Sequence, residues 1–137
     1  MLRSVLTIGV LMLAGCAATP EQVAREAAGD ARVQAKLDRK LAGFTPGPTV
    51  ECIRPNSGGV TIFGDTLVYD DTGRRLYKTT TTGGCFGLKR DDIIVTRSFG
   101  SQICRGDIVR TVDRTSGFPS GACAFGPFVT YTRDRRG

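Results

Sequence analysis

The sequence predicts a mainly β chain with one N-terminal α-helix, its strands forming a small antiparallel β-barrel or sandwich of six to eight strands stapled by disulfides. Three observations carry this. Short runs rich in Val, Ile, Thr and aromatic residues recur from residue 49 onward, separated by Gly, Pro and Asp. One earlier segment, 20–42, has helix start and stop signals. Four Cys, at 52, 85, 104 and 123, fall within the β-rich part, which is too short for a core to hold it comfortably unaided. With 40% hydrophobic and 7% aromatic residues, the 137-residue chain is too apolar for a solvated coil and long enough for one domain plus an appendage.

The N-terminus reads as an address. Met1-Leu2-Arg3 is a short positive start, and Ser4 to Ala14 form an apolar run. As a helix that run spans only ~16 Å against ~30 Å of hydrocarbon, which makes it a signal-peptide core rather than a membrane span. It ends in Leu13-Ala14-Gly15-Cys16, which resembles the lipobox of bacterial lipoproteins. The resemblance implies a diacylglyceryl group on the Cys16 thiol and removal of residues 1–15. Residues 16–48 are then lipid anchor, helix and linker, 49–133 the β domain, and 134–137 a basic tail. Ala17, where an Asp would retain a lipoprotein in the inner membrane, implies the outer membrane, with the domain facing the periplasm.

The helix is bounded clearly. Thr19-Pro20-Glu21-Gln22 has capping-box spacing with Pro at the first helical position. Arg39 and Lys40 fall in the last turn, Gly43 is the C-cap, and Pro46 lies beyond. Val33, Leu37, Leu41 and Phe44 recur at steps of four and three, so the second half packs on a core. The Ala-rich first half, interrupted by Glu26, Gly29 and Asp30, stands in solvent or against headgroups.

Eight strand segments follow, at 49–54, 60–63, 66–69, 74–81, 92–99, 102–113, 122–125 and 128–132. Asp70-Asp71-Thr72-Gly73 is the turn of a hairpin, Gly83 to Gly87 a loop, and Gly106 a bulge or sharp bend. That bend accounts for the Arg105-Gly106-Asp107 adhesion tripeptide. The Asp pairs 70/71 and 91/92 lack the surroundings of a calcium loop and read as turn chemistry. Arg133 to Gly137 read as a frayed, solubilising tail.

Four Cys in an exported domain imply two disulfides, with three pairings possible. Gaps of 33, 19 and 19 residues lack the paired knuckles of a zinc site. The expected pairs are Cys52–Cys123 and Cys85–Cys104, with Cys52–Cys85 and Cys104–Cys123 as the cross-strand alternative. No cofactor or metal is expected. Neither is catalysis: there is no His to act as base, the thiols are lipidated or oxidised, and no phosphate-binding glycine loop occurs.

The mature chain, 16–137, carries 18 basic and 13 acidic side chains, a net +5. Arg25, Arg32, Lys36, Arg39 and Lys40 fall within an arc of about 100° on a helical wheel. That arc is a candidate contact with an anionic surface, or a solvated helix face. Arg74, Arg75 and Lys78 cluster on the hairpin, and Lys89-Arg90 form a further pair. Of the 18 mature basic residues 14 are Arg, favoured at carboxylate and phosphate sites and also the default of GC-rich coding.

Around the last three Cys the chain resembles uncharacterised small proteobacterial lipoproteins. The residues are Cys85-Phe86-Gly87-Leu88, then Ile103-Cys104-Arg105-Gly106-Asp107-Ile108, then Ala122-Cys123-Ala124-Phe125-Gly126-Pro127-Phe128. The resemblance implies a disulfide-bonded envelope β-domain and brings no activity with it. Two functions remain. One is a non-catalytic binding or structural module, held at the membrane by its lipid, whose partner is an envelope protein or an anionic polymer and not nucleic acid. The other is an inhibitor of a hydrolase. Inhibitors of strongly basic lysozymes need an acidic contact, so +5 disfavours that target and leaves a protease open.

Overall fold

The computed structural model describes residues 18–55, 58–98 and 100–134. Cys16 and the expected signal segment, 1–15, lie outside them. One helix, α1 (Pro20–Leu41), precedes nine strands: β1 (Thr45–Val50), β2 (Cys52–Ile53), β3 (Val60–Phe63), β4 (Thr66–Thr72), β5 (Arg75–Thr82), β6 (Ile93–Thr96), β7 (Ile103–Cys104), β8 (Ile108–Val112) and β9 (Pro119–Thr132). A 3-10 helix, Phe86–Arg90, begins within the expected loop. The strands form an antiparallel half-barrel with order β3-β4-β5-β9-β8-β6.

α1 starts as its sequence dictates. The Thr19 hydroxyl accepts from the Gln22 amide at 3.3 Å, and Gln22 Oε1 accepts from the Thr19 amide at 2.9 Å. Residues 20–32 are exposed on every face, whereas Leu37 is buried with Val68 and Leu76 on the outer face of the sheet. Leu41, Phe44, Phe63 and Tyr131 surround that contact. Lys40 Nζ donates to both carboxylate oxygens of Asp70 at 2.9 Å, an ion pair half-shielded from water that fixes the helix azimuth. The helix end is closed from far along the chain. Arg133, expected in a frayed tail, donates to the carbonyls of Ala42 at 2.8 Å and Gly43 at 3.3 Å. Its guanidinium also lies 4.1 Å from the Phe44 ring centroid, so the last helical carbonyls gain a cation and the cation gains an aromatic face.

β9 organises the sheet. β5 runs along one edge of it from Ala124 to Thr132, and the other edge is shared, β8 pairing with its first half and β1 with its second. Gly126-Pro127, expected to divide this stretch, lies inside one continuous strand. Phe125 opposes Thr81 and Phe128 opposes Thr79, so two residues face Thr80 alone and form a bulge. The missing Pro127 amide falls where the edge passes from β8 to β1, so no ladder bond is lost. Gly126 is required there, because a Cβ would sit 2.4 Å from the Thr80 carbonyl oxygen.

β1 begins at Thr45, ahead of the expected 49, and includes Pro46 and Pro48. The strand pairs with β9 alone, so those prolines can turn their amide-free side outward, and the register shifts between Pro46 and Thr49. The expected strand 102–113 is broken at Gly106, φ +87. There Asp107 Oδ2 accepts from the Cys104 amide at 2.8 Å, and the bend docks on Phe125 by two backbone bonds.

Alternation along β4 divides two cores. Leu67 and Tyr69 face the concave side, joining Ile53, Leu88, Ile103, Val109, Phe125 and Phe128, while Val68 faces the helix. Tyr69, Phe125 and Phe128 form an aromatic triangle with centroids 5.7–6.2 Å apart. Burial there pushes the Tyr69 hydroxyl up to about 12, so it stays neutral.

The disulfides are Cys52–Cys104 and Cys85–Cys123, which corrects both expected pairings. Cys52 and Cys104 are direct cross-strand partners in the two-stranded ladder of β2 and β7. That ladder sits where the β9 edge changes hands, with the Arg105 amide bonded to the Glu51 carbonyl. Cys123 points to the concave side opposite Val109, out of reach of Cys52, and meets Cys85 in the turn leaving β5.

Candidate functional site

A concavity of about 800 Å³ opens at the mouth of the half-barrel. Its floor is the inner face of β5 and β9, where Arg75 opposes Thr132 and Tyr77 opposes Thr130. Its wall is Pro48 and Val50 of β1, and its far side the β2–β7 arm with Cys52, Ile53, Arg54 and Gln102. The Cys52–Cys104 bridge joins the two strands of that arm.

Polar groups converge on this trough. Asp71, the extra residue of a bulge between Asp70 and Thr72, forms an ion pair with Arg75 at 3.6 Å. Arg75 is held above its ordinary pKa, first by donating to the Tyr77 hydroxyl and then by the charges of Tyr77 and Asp71. Arg54 adds a second guanidinium. The lining therefore offers two cations, one carboxylate and several hydroxyl and amide groups, a surface suited to anionic or polyhydroxylated ligands.

Strand alternation separates the hairpin cluster seen in the sequence. Arg75 enters the cleft, while Lys78 lies on the outer face 5.6 Å from the Tyr131 ring centroid. The helix arc is divided too. Arg32, Lys36 and Arg39 are exposed, without an ion-pair partner among the described residues. Arg25 pairs loosely with Glu21 at 3.9 Å, and Lys40 is committed to Asp70, so it is turned to the sheet rather than outward.

The profile of a family described as "Family of unknown function (DUF6491)" fits residues 1–126 of the 137. The chain belongs to DUF6491. No curated protein and no solved structure matches it. The DUF6491 match takes in residues 1–19, α1, all strands up to β8 and the first half of β9, hence both disulfides and most of the cleft.

One buried polar cluster lies elsewhere in this DUF6491 member. Asp92, 4% exposed, accepts from the Ser120 hydroxyl, which is 3.0 Å from Thr111 Oγ1, and Arg90 approaches Asp92 at 3.6 Å. Gly87 of the 3-10 helix covers the cluster so closely that a Cβ would meet Asp92 Oδ2, Ser120 Oγ and Thr111 Oγ1. Among the described residues no fully buried side-chain polar atom lacks a partner, and the cluster is a latch holding the 3-10 helix over the core. Gly87→Ala is expected to lift that helix and cost about 1–3 kcal/mol, read as a lower urea midpoint with unchanged slope. An unchanged midpoint would show that the lid has room to spare.

None of the cleft residues stood out as a binding set in the sequence. They come from four separate stretches, 48–54, 71–77, 102 and 130–132, and no local spacing signals their convergence. Only Arg75 lay in a basic cluster, and the cluster did not show which of its members would face inward.

Proposed function

We propose that this protein is a lipid-anchored, non-catalytic binding module of the cell envelope, which holds an anionic envelope polymer in the cleft of its half-barrel. The cleft carries the reading: Arg54, Arg75, Tyr77, Gln102, Thr130 and Thr132 line one open trough. The anchor is Cys16, supported by the charged start, the short apolar run and Leu13-Ala14-Gly15-Cys16; Ala17 supports the outer membrane as its site. The 22-residue α1, about 33 Å long at ~1.5 Å per residue, is then a stalk whose first turns cross from the lipid surface to the domain. Arg25, Arg32, Lys36 and Arg39 are its lipid-facing cations, each adding ~1 kcal/mol near an anionic surface.

The test is titration of the intact lipoprotein, in neutral detergent micelles, with polyphosphate and with polyglutamate. Binding should weaken steeply with salt, and Arg54→Gln with Arg75→Gln should reduce affinity about tenfold or more. Arg32→Gln, Lys36→Gln and Arg39→Gln should leave it unchanged. No binding to either polymer at low salt would sink the cleft reading. The anchor is read separately, since Cys16→Ser should abolish detergent partitioning while leaving the melting profile of the domain intact.

A further inference from the structure

The two disulfides sit in opposite surroundings. Cys85 and Cys123 are 4% and 7% exposed, within the concave core that also holds Leu88, Val109 and Phe125. No outside thiol reaches them unless that core opens. Cys52 is exposed and lines the cleft with Arg54 and Gln102, and its partner Cys104 is half-buried. The difference follows from alternation in the two-residue ladder of β2 and β7. Its Ile53–Ile103 pair turns inward to the core, so the neighbouring Cys52–Cys104 pair turns outward.

Apart from its bridge, that ladder is weak. β2 and β7 pair only with each other among the described residues, and a lone two-stranded ladder is marginal in water. Beside it stand the bond from the Arg105 amide to the Glu51 carbonyl, 2.7 Å, and an exposed ion pair of the same two residues at 3.6 Å. With the bridge cut, the buried isoleucines still hold the arm on the core, but little keeps the outward ends of β2 and β7 together. Cations are at hand: Arg105 follows Cys104, and Arg54 shares the cleft with Cys52. Positive charge stabilises a departing thiolate, and exposed bridges exchange most readily.

We propose that Cys52–Cys104 is a thiol-exchange site, opened by a dithiol reductant while the domain stays folded, and that its opening lets β2 and β7 part and weakens the hold of the cleft on its polymer. A thiolate of the dithiol attacks Cys52 Sγ from the cleft and forms a mixed disulfide. Cys104 Sγ leaves with the electron pair of the broken S–S bond and takes a proton from water. The second thiol of the reductant gives its proton to water and attacks its own partner sulfur, releasing Cys52 as a thiolate that is protonated in turn. The dithiol ends as a disulfide and the bridge as two thiols, a two-electron exchange that a disulfide oxidant runs backwards. Cys85–Cys123 takes no part and keeps the fold. The loss of polymer rests on the cleft being its site, as proposed; the exchange chemistry does not.

The experiment treats the full-length protein, in neutral detergent micelles, with increasing dithiothreitol, traps free thiols with iodoacetamide and maps them by mass. Cys52 and Cys104 should be trapped together, at a reductant concentration about tenfold or more below that for Cys85 and Cys123, with circular dichroism unchanged. At that stage hydrogen exchange over 50–54 and 102–105 should rise about tenfold or more while β5 keeps its protection. Polyphosphate affinity should fall about threefold or more and return on reoxidation with oxidised glutathione. Cys52→Ser with Cys104→Ser should reproduce the loosened arm and leave Cys85 and Cys123 untrapped at the same dose. Both bridges opening together as the spectrum collapses, Cys85–Cys123 opening first, an arm whose exchange ignores the open bridge, or an affinity that opening leaves undiminished would each overturn the proposal. If the oxidised protein binds no polyphosphate, the cleft reading alone fails, and trapping and hydrogen exchange still decide the thiol-exchange site.

Discussion

Reduction of Cys52–Cys104 and Cys85–Cys123 is expected to unfold the β domain at ambient temperature. The bridges close sequence separations of 52 and 38 residues, each worth about 4 kcal/mol in the chain-entropy view. Because 85 lies between 52 and 104 while 123 lies beyond, the loops interleave and their contributions are less than additive. Even so the loss rivals the total of ~5–15 kcal/mol that holds a domain together. Removing one bridge at a time should separate its effects. Cys85→Ser with Cys123→Ser opens a cavity in the concave core and should lower the melting temperature by about 20 °C or more. Cys52→Ser with Cys104→Ser frees the β2–β7 arm, so cleft binding should fall further than stability does. A thermal melt indifferent to reductant would show that packing alone holds the half-barrel.

Phe128→Ala should cost about 3–5 kcal/mol, the largest effect of any single side chain. Phe128 is fully buried, opposes Thr79 on β5 and Val50 on β1, and closes the aromatic triangle with Tyr69 and Phe125. Its removal empties the point where three strands cross, and the bulge at Gly126-Pro127 leaves the backbone little freedom to collapse inward. Phe128→Leu keeps most of the volume and should cost under about 1.5 kcal/mol. Urea denaturation of the two variants reads the difference, and equal midpoints would mean that the site collapses freely.

What could be read in the sequence is what local chemistry fixes. Thr19, Pro20 and Gln22 sit one turn apart and announce the helix start, and Asp70 to Gly73 announce the hairpin, because a few neighbouring residues decide each. Pairing across the sheet is different. Nothing in the run Thr45-Pro46-Gly47-Pro48 indicates a strand unless β9 is already known to lie on one side and open space on the other. Gly126-Pro127 looks like a break until Thr80 is seen opposite, where the extra residue becomes a bulge. The cysteine pairing failed for the same reason, since joining Cys52 in the first expected strand to Cys123 in a late one ignored that the sheet edge is split between β1 and β8. The cleft is assembled from every one of these long-range choices, which is why its residues were invisible while its scaffold was not.

The position of β9 in the chain has a consequence for timing. This strand, the partner of β1, β5 and β8, is the last of the described strands in chain order, and so the last of them to be synthesised. Until it arrives, β3, β4 and β5 can pair with one another and β6 with β8, but β1 has no partner, the two halves of the sheet stay apart and neither core can close. Folding must therefore wait for β9 and proceed through contacts between residues far apart in the chain, which makes it slow.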